Sequence, residues 1–207
     1  MKAPPFNVAN VITISRVVLA IFVLLLLPGA DDQTLWMVFF LTIFIIWADG
    51  LDGYFARKLK QSSKLGGILD IAGDRVVELA YWILFATLQW IPVWVPLLFV
   101  VRGIFVDAIR SHASEMGYTA FGEKSMMQSG IGKFLVASNF SRFSYAVAKA
   151  LAFCLVIAAH TEKGAAWGLN PWALFLVYFS CAFCIIRGLP VILESKSLFV
   201  TSTQQNP

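Results

Sequence analysis

Charge, histidine and cysteine are all scarce in this sequence, and each scarcity narrows what the chain can be. Only 14% of the 207 residues are Asp, Glu, Lys or Arg, too few for the surface of a water-soluble domain. The two histidines, His112 and His160, are isolated, and neither is assigned to a site. The three cysteines, Cys154, Cys181 and Cys184, lie in apolar runs. The spacing of Cys181 and Cys184 puts both on one helix face, where small-hydrophobe packing is expected rather than metal or redox chemistry. Fixed-period repeats, low-complexity tracts and long linkers are also missing, which points to a single domain over residues 1–200 with a polar tail at 201–207.

What is abundant is apolar surface. Hydrophobic residues make up 59% of the chain, and the mean hydropathy is +0.77, values that belong in a bilayer. Uncharged runs cover residues 17–27, 35–47, 79–101, 150–159 and 171–186. Some fall short of the roughly 20 residues that cross about 30 Å of hydrocarbon, so their polar flanks must be helical too. The resulting expectation is an all-α integral membrane bundle of six transmembrane helices, at about 8–28, 34–58, 66–90, 94–116, 143–160 and 171–190. The first apolar run lacks a small-x-small cleavage site and contains Arg16, so that helix is expected to remain.

Lys58, Lys60, Lys64, Arg110, Lys124, Lys133, Arg142, Arg187 and Lys196 fall on one face of such a bundle. The connections near Asp31, Trp90 and His160 carry little positive charge. By the positive-inside rule the basic face and both termini are cytoplasmic, in a multi-pass protein of the cell inner (cytoplasmic) membrane. The net charge of +4 then reads as topology, with attraction to anionic lipid second, and no nucleic acid is expected as a partner. Asn139-Phe140-Ser141 fits a glycosylation sequon but falls on the cytoplasmic side.

The informative stretch is DGLDGYFARKLKQSSKLGGILDIAGD, from Asp49 to Asp74. Asp49 and Asp52 share a helical face, and Gly53, Ala56 and Arg57 continue that stripe. Gly66, Asp70 and Asp74 recur every four residues on the next helix, with Gly67 and Gly73 beside them. A carboxylate inside a membrane costs about 2.5–3.5 kcal/mol at a helix centre unless it faces a partner or water. One Asp could be explained by pairing with Arg57, Lys58, Lys60 or Arg75. Four in-phase acids interleaved with Gly and Ala could not, because a topology-setting loop needs only Lys and Arg. Oxygen donors without His or Cys suit Mg²⁺ or Mn²⁺, and four carboxylates can hold two ions about 3.5–4 Å apart. Two-metal chemistry at phosphorus follows, with Arg57 available for a bidentate phosphate contact.

Asp49, Asp52, Gly53, Ala56, Arg57, Gly66, Asp70 and Asp74 fill all the fixed places of a long signature: Asp, two residues, Asp-Gly, two residues, Ala-Arg, eight residues, Gly, three residues, Asp, three residues, Asp. The chain thereby resembles the CDP-alcohol phosphotransferase family, which is similar in its six transmembrane helices, cytoplasmic termini and length. The resemblance implies that Asp49, Asp52, Asp70 and Asp74 bind two divalent ions, Mg²⁺ or Mn²⁺. It implies that Asp74 is also the catalytic base, activating the acceptor hydroxyl against the β-phosphorus of CDP-diacylglycerol. CDP would lie against Asp52, Gly53, Arg57 and Ser63, with Asn10 and Thr13 from the first helix. Equally, Asn10 reads as a helix cap and Thr13 as bonding back within its own helix. A homodimer is implied as well.

Arg102 and Arg110 are eight apart on one helix face, and Lys133 follows Gly132, so the three could clamp a phosphate on a small alcohol acceptor. Arg102 lies about 12 Å deeper than Arg110 by helical rise, where the alternative is a pair with Asp107 or Glu78. Within the family, the phosphatidylglycerophosphate synthases are similar at Arg102, Arg110, Gly117 and Gly132-Lys133, which implies sn-glycerol 3-phosphate as acceptor. Ala72, Arg75 and Asp107 depart from that pattern and keep inositol phosphate or an unphosphorylated alcohol open, with Arg142 and Lys149 as further candidates. Lys149 also suits snorkelling to the interface. A divalent-cation transporter is the reading from another class, and it lacks the repeats and broken helices that such proteins show. A prenyltransferase would carry two separated aspartate motifs where this chain has one composite cluster.

Overall fold

The computed structural model describes residues 8–58, 64–118 and 126–195, with side chains at 10–50, 65–118 and 126–195. Every element assigned among them is helical: α1 (Val8–Leu25), α2 (Asp32–Lys58), α3 (Lys64–Thr87), α4 (Trp94–Glu115), the single turn α5 (Gly130–Gly132), a π-turn (Lys133–Ala137), α6 (Asn139–Ala159), the short α7 (Glu162–Ala166) and α8 (Asn170–Glu194). The six long helices lie where hydropathy puts them. Among the described residues three stretches are long and apolar enough to cross a membrane, Asp32–Gly50 in α2, α6 and α8, while the apolar part of α1, Asn10–Leu25, is shorter. Asp70, Asp74, Arg75 and Glu78 in α3, and Arg102, Asp107 and Arg110 in α4, dilute the apolar character of those helices. The described residues are all-helical, and their apolar helices are those of a membrane protein.

Helix ends follow local chemistry. Asp31 starts α2: its carboxylate accepts the Thr34 N–H at 3.0 Å, and its carbonyl accepts from Leu35 at 2.9 Å. The Thr34 hydrogen bonds, side chain and then backbone, hold the Asp31 carboxyl below the ordinary carboxylate range. The first residue of α6 is Asn139, four residues before the hydropathy boundary, because Ser138 Oγ accepts the Ser141 N–H at 3.2 Å and caps the helix. Arg142 and Lys149 thus sit inside α6 from its first turns.

The chain contacts gather into two compact units, Met1–Pro96 with Ala150–Leu174, and Leu97–Lys149 with Phe175–Pro207. In the first unit, α1 packs against both α2 and α3. Tyr81, Trp82 and Phe85 of α3 are fully buried and meet Phe153 of α6, with Tyr81 stacked on it at 4.7 Å and Trp82 edge-on at 4.6 Å. Such pairs add about 0.5–1.5 kcal/mol each beyond burial. The buried hydroxyls of Thr42 and Tyr81 bond at 2.9 Å, so α2 and α3 register through a satisfied polar pair. At the other end, Trp90 stacks on His160 at 3.9 Å, and Asp32 accepts the Glu162 N–H at 2.6 Å.

The second unit has its own core of Val106, Ala113, Met126, Met127, Val136 and Val191, with Ile109 and Leu135 against it. Gly188 of α8 lies close enough to Arg102 that a Cβ there would meet the arginine Cγ at 3.0 Å. Arg102 and Arg187 are both buried in this unit.

Candidate functional site

In the first unit the helical phase of the acids becomes a cluster. Asp49 on α2 and Asp70 and Asp74 on α3 each offer a carboxylate oxygen, and these oxygens all lie within 4.8 Å of one another. Asp49 and Asp70 are half-buried and Asp74 is exposed, so the group sits at an edge that an ion can reach. Three carboxylates at that spacing repel one another, and oxygen donors of this kind fit a hard divalent cation. Asp52, Gly53 and Arg57 lie on the last turns of α2, but their side chains fall outside the described residues. Ser63, Lys60, Lys124, Lys196 and the tail 201–207 also lie outside the described residues.

A cation already belongs to the cluster. Arg16 of α1, only 6% exposed, donates to Asp74 Oδ1 at 2.7 Å and pairs with Asp49 through its other terminal nitrogen. The fork therefore spans α2 and α3 from a third helix. Gly73 makes this approach possible, since a Cβ there would meet Val17 Cγ2 at 3.1 Å and Thr13 Cγ2 at 3.2 Å. Gly67, by contrast, has nothing within 4 Å of where a side chain would begin. Asn10 and Thr13 precede Arg16 at intervals of three, and both are buried, at 2% and 4% exposure. Sequence reasoning noted Arg16 only as a charge inside the first span. The three-residue spacing of Asn10, Thr13 and Arg16 was the available signal that all three share a face.

The second unit gathers positive charge. Arg102 is 8% exposed, and its Nε has no hydrogen-bond partner among the described residues. Arg110 is half-buried, while Lys133 and Arg142 are exposed. Glu78, one alternative partner considered for Arg102, accepts from Arg75 at 2.6 Å. Arg187 of α8, 4% exposed, donates to the Leu135 carbonyl at 2.8 Å and the Val136 carbonyl at 3.3 Å, and also bonds Ser141 Oγ. It lies 5.5 Å from the centre of the Tyr145 ring. Lys149 Nζ sits 4.4 Å from that ring's centre, so its charge is occupied at least partly by a cation–π contact. By sequence Arg187 reads as a marker of topology, and its place inside an apolar run is the signal of its buried role.

Comparison with known proteins bears on the whole chain. The family described as CDP-alcohol phosphatidyltransferase matches residues 6–201. A Pseudomonas fluorescens protein named CDP-diacylglycerol--glycerol-3-phosphate 3-phosphatidyltransferase is 26% identical over 187 residues, 86% of this chain and 90% of that protein. Its namesake in Haemophilus influenzae is 32% identical over 118 residues, 54% of this chain and 62% of that protein. Another, from Aquifex aeolicus, is 37% identical over 70 residues, 34% of this chain and 38% of that protein. The matched part thus spans less than two thirds of the latter two relatives' length.

Proposed function

This chain belongs to the CDP-alcohol phosphatidyltransferase family, and we propose that it transfers a phosphatidyl group from CDP-diacylglycerol to sn-glycerol 3-phosphate with release of CMP. The observation that carries the reading is the convergence of Asp49, Asp70 and Asp74 from two helices to within 4.8 Å. The family match covers that stretch, and the relatives' names support the choice of acceptor.

In this reading Asp49, Asp52, Asp70 and Asp74 hold two divalent ions, Mg²⁺ or Mn²⁺. Those ions would neutralise the pyrophosphate and stabilise charge on the attacking and leaving oxygens. Asn10, Thr13, Asp52, Gly53, Arg57 and Ser63 bind the CDP moiety. Arg16 donates to Asp74 Oδ1, and in this reading the Asp74 carboxylate, besides holding metal, takes the proton from the acceptor hydroxyl. The hydroxyl oxygen bonds to the β-phosphorus, the bond from that phosphorus to the CMP oxygen breaks, and the proton remains on Asp74. Arg102, Arg110 and Lys133 hold the acceptor's phosphate, and Arg187 adds positive charge beside Arg102. The proposed setting is a homodimer of six-span protomers in the inner membrane, with termini and active site on the cytoplasmic side.

The test is a panel of acceptors with purified protein, CDP-diacylglycerol and Mg²⁺ or Mn²⁺. The expected outcome is metal-dependent CMP release with sn-glycerol 3-phosphate and little with inositol phosphate, inositol or serine. Fast release with one of the others moves the acceptor assignment, and none with any of them removes the transferase reading.

A further inference from the structure

Two residues of α8 grip the segment that carries Lys133. Arg187 and Glu194 are seven apart, so they lie on one helix face about 10.5 Å apart along the axis. Arg187 holds the far side of the segment, through the carbonyls of Leu135 and Val136. Glu194 holds the near side. Its Oε2 accepts the Gln128 N–H at 2.5 Å and the Ser129 N–H at 3.3 Å, and its Oε1 accepts the Ser129 hydroxyl at 2.5 Å. Ser129 Oγ accepts in turn from the Gly132 N–H at 2.9 Å, and the Ser129 carbonyl accepts from the Lys133 N–H at 2.9 Å. The carboxylate thus holds Ser129, and Ser129 in turn accepts from the backbone N–H groups of Gly132, through its hydroxyl, and Lys133, through its carbonyl.

Gly132 is what this arrangement demands. A Cβ there would collide with the Glu194 carboxylate and with Ser129 Oγ, so only glycine lets the acid come this close to the turn. The five residues that follow form a π-turn, a wide turn whose backbone is held from outside by Arg187. A lysine on a turn braced at both ends has fewer positions open to its stem than one on a free loop.

We propose that Glu194 is a positioning residue for Lys133, fixing the Gln128–Lys133 turn so that the ammonium meets the acceptor's phosphate already in place. The inference rests on the reading that Lys133 contacts that phosphate. A carboxylate suits the task because it accepts through both oxygens. An amide at the same place, as in Glu194→Gln, would turn its NH₂ toward a backbone N–H or the Ser129 hydroxyl.

The experiment is steady-state kinetics on the full-length protein in detergent micelles, with CDP-diacylglycerol and sn-glycerol 3-phosphate varied separately. Glu194→Gln is expected to raise the KM for sn-glycerol 3-phosphate about tenfold, with kcat and the CDP-diacylglycerol KM within about twofold of the parent. Glu194→Asp, which keeps both acceptor oxygens, should recover part of the loss. Lys133→Met should raise the same KM, and adding Glu194→Gln to it should change nothing further. Equal losses on both substrates, or full additivity in the double variant, make Glu194 a prop for the fold and overturn the proposal. If Lys133→Met leaves the acceptor KM unchanged, the underlying assignment of Lys133 fails, and this inference with it. If Lys133→Met raises it but Glu194→Gln does not, only the positioning role fails.

Discussion

The two units of this protein handle buried charge in opposite ways. In the first, acids from two helices crowd together and a guanidinium from a third, Arg16, pairs with two of them. Charge there is answered by charge. In the second, Arg187 is held by carbonyl and hydroxyl oxygens that bear no full negative charge, and Arg102 packs against Gly188, the residue that follows it. Neutral oxygens satisfy a guanidinium's donors without cancelling its field, so this region stays attractive to an anion. The acidic region, by contrast, has an internal counter-ion in Arg16, with which a divalent ion would compete for the Asp49 and Asp74 carboxylates. Under the proposed function the first unit would take up a cation and the second an anion.

The contrast breaks most completely if the acids are not catalytic. Asp74→Asn keeps the side chain's size and removes the proton acceptor, and it is expected to lower kcat by about 10²–10⁴-fold, with CDP-diacylglycerol binding retained. Normal turnover by that variant would remove Asp74 from the chemistry. Next in size is Arg102→Met, which keeps the stem against Gly188 and removes the charge. Loss of a charge-assisted phosphate contact of about 1.5–3 kcal/mol should raise the KM for sn-glycerol 3-phosphate about 10- to 100-fold, and leave the CDP-diacylglycerol KM unchanged. An equal rise for both substrates would show that the cation supports the fold rather than the acceptor.

The acidic half was legible because helical periodicity converts spacing directly into shared faces. Asp70 and Asp74, four apart, needed only the decision that the segment is helical, and their meeting with Asp49 followed from the two-helix pattern. The partner of those acids was not legible. Arg16 lies 33 residues before Asp49 in the numbering, and nothing local says that α1 will pack on both α2 and α3, although Gly73 supplies the thin surface that allows it. The basic half was read less well for the same physical reason. Arg102 stood out because it lies deep in an apolar helix. Arg187 does so as well, yet proximity to a cytoplasmic end offered a sufficient explanation and hid its bonds to residues 135, 136 and 141. Glu194 was invisible, because its role exists only once α8 returns beside the turn at 128–132. The α6 helix begins at Asn139, four residues before the apolar run suggests, since hydropathy does not register the Ser138 cap.

The smallest expected effect probes the counter-ion itself. Arg16→Met removes the guanidinium while filling much of its buried volume, and it leaves Asp49, Asp70 and Asp74 to repel one another. Because the two acids it pairs with are about half exposed, 44% and 53% by side chain, solvent screens much of that repulsion and the cost is about 1 kcal/mol. The sign with metal is the informative part. In chelator the variant should unfold at a lower temperature than the parent. With Mg²⁺ added the gap should narrow, since the ion replaces the missing positive charge without having to displace anything. The gain in Tm on adding Mg²⁺ is therefore expected to be larger for Arg16→Met than for the parent, and half-saturation should fall at a lower Mg²⁺ concentration. If Arg16 instead orders the acids for the ion, its loss weakens Mg²⁺ binding and the Tm gain shrinks. The two outcomes have opposite signs, so one thermal titration in detergent decides whether the acidic unit is charge-balanced by exchange or merely scaffolded by its arginine.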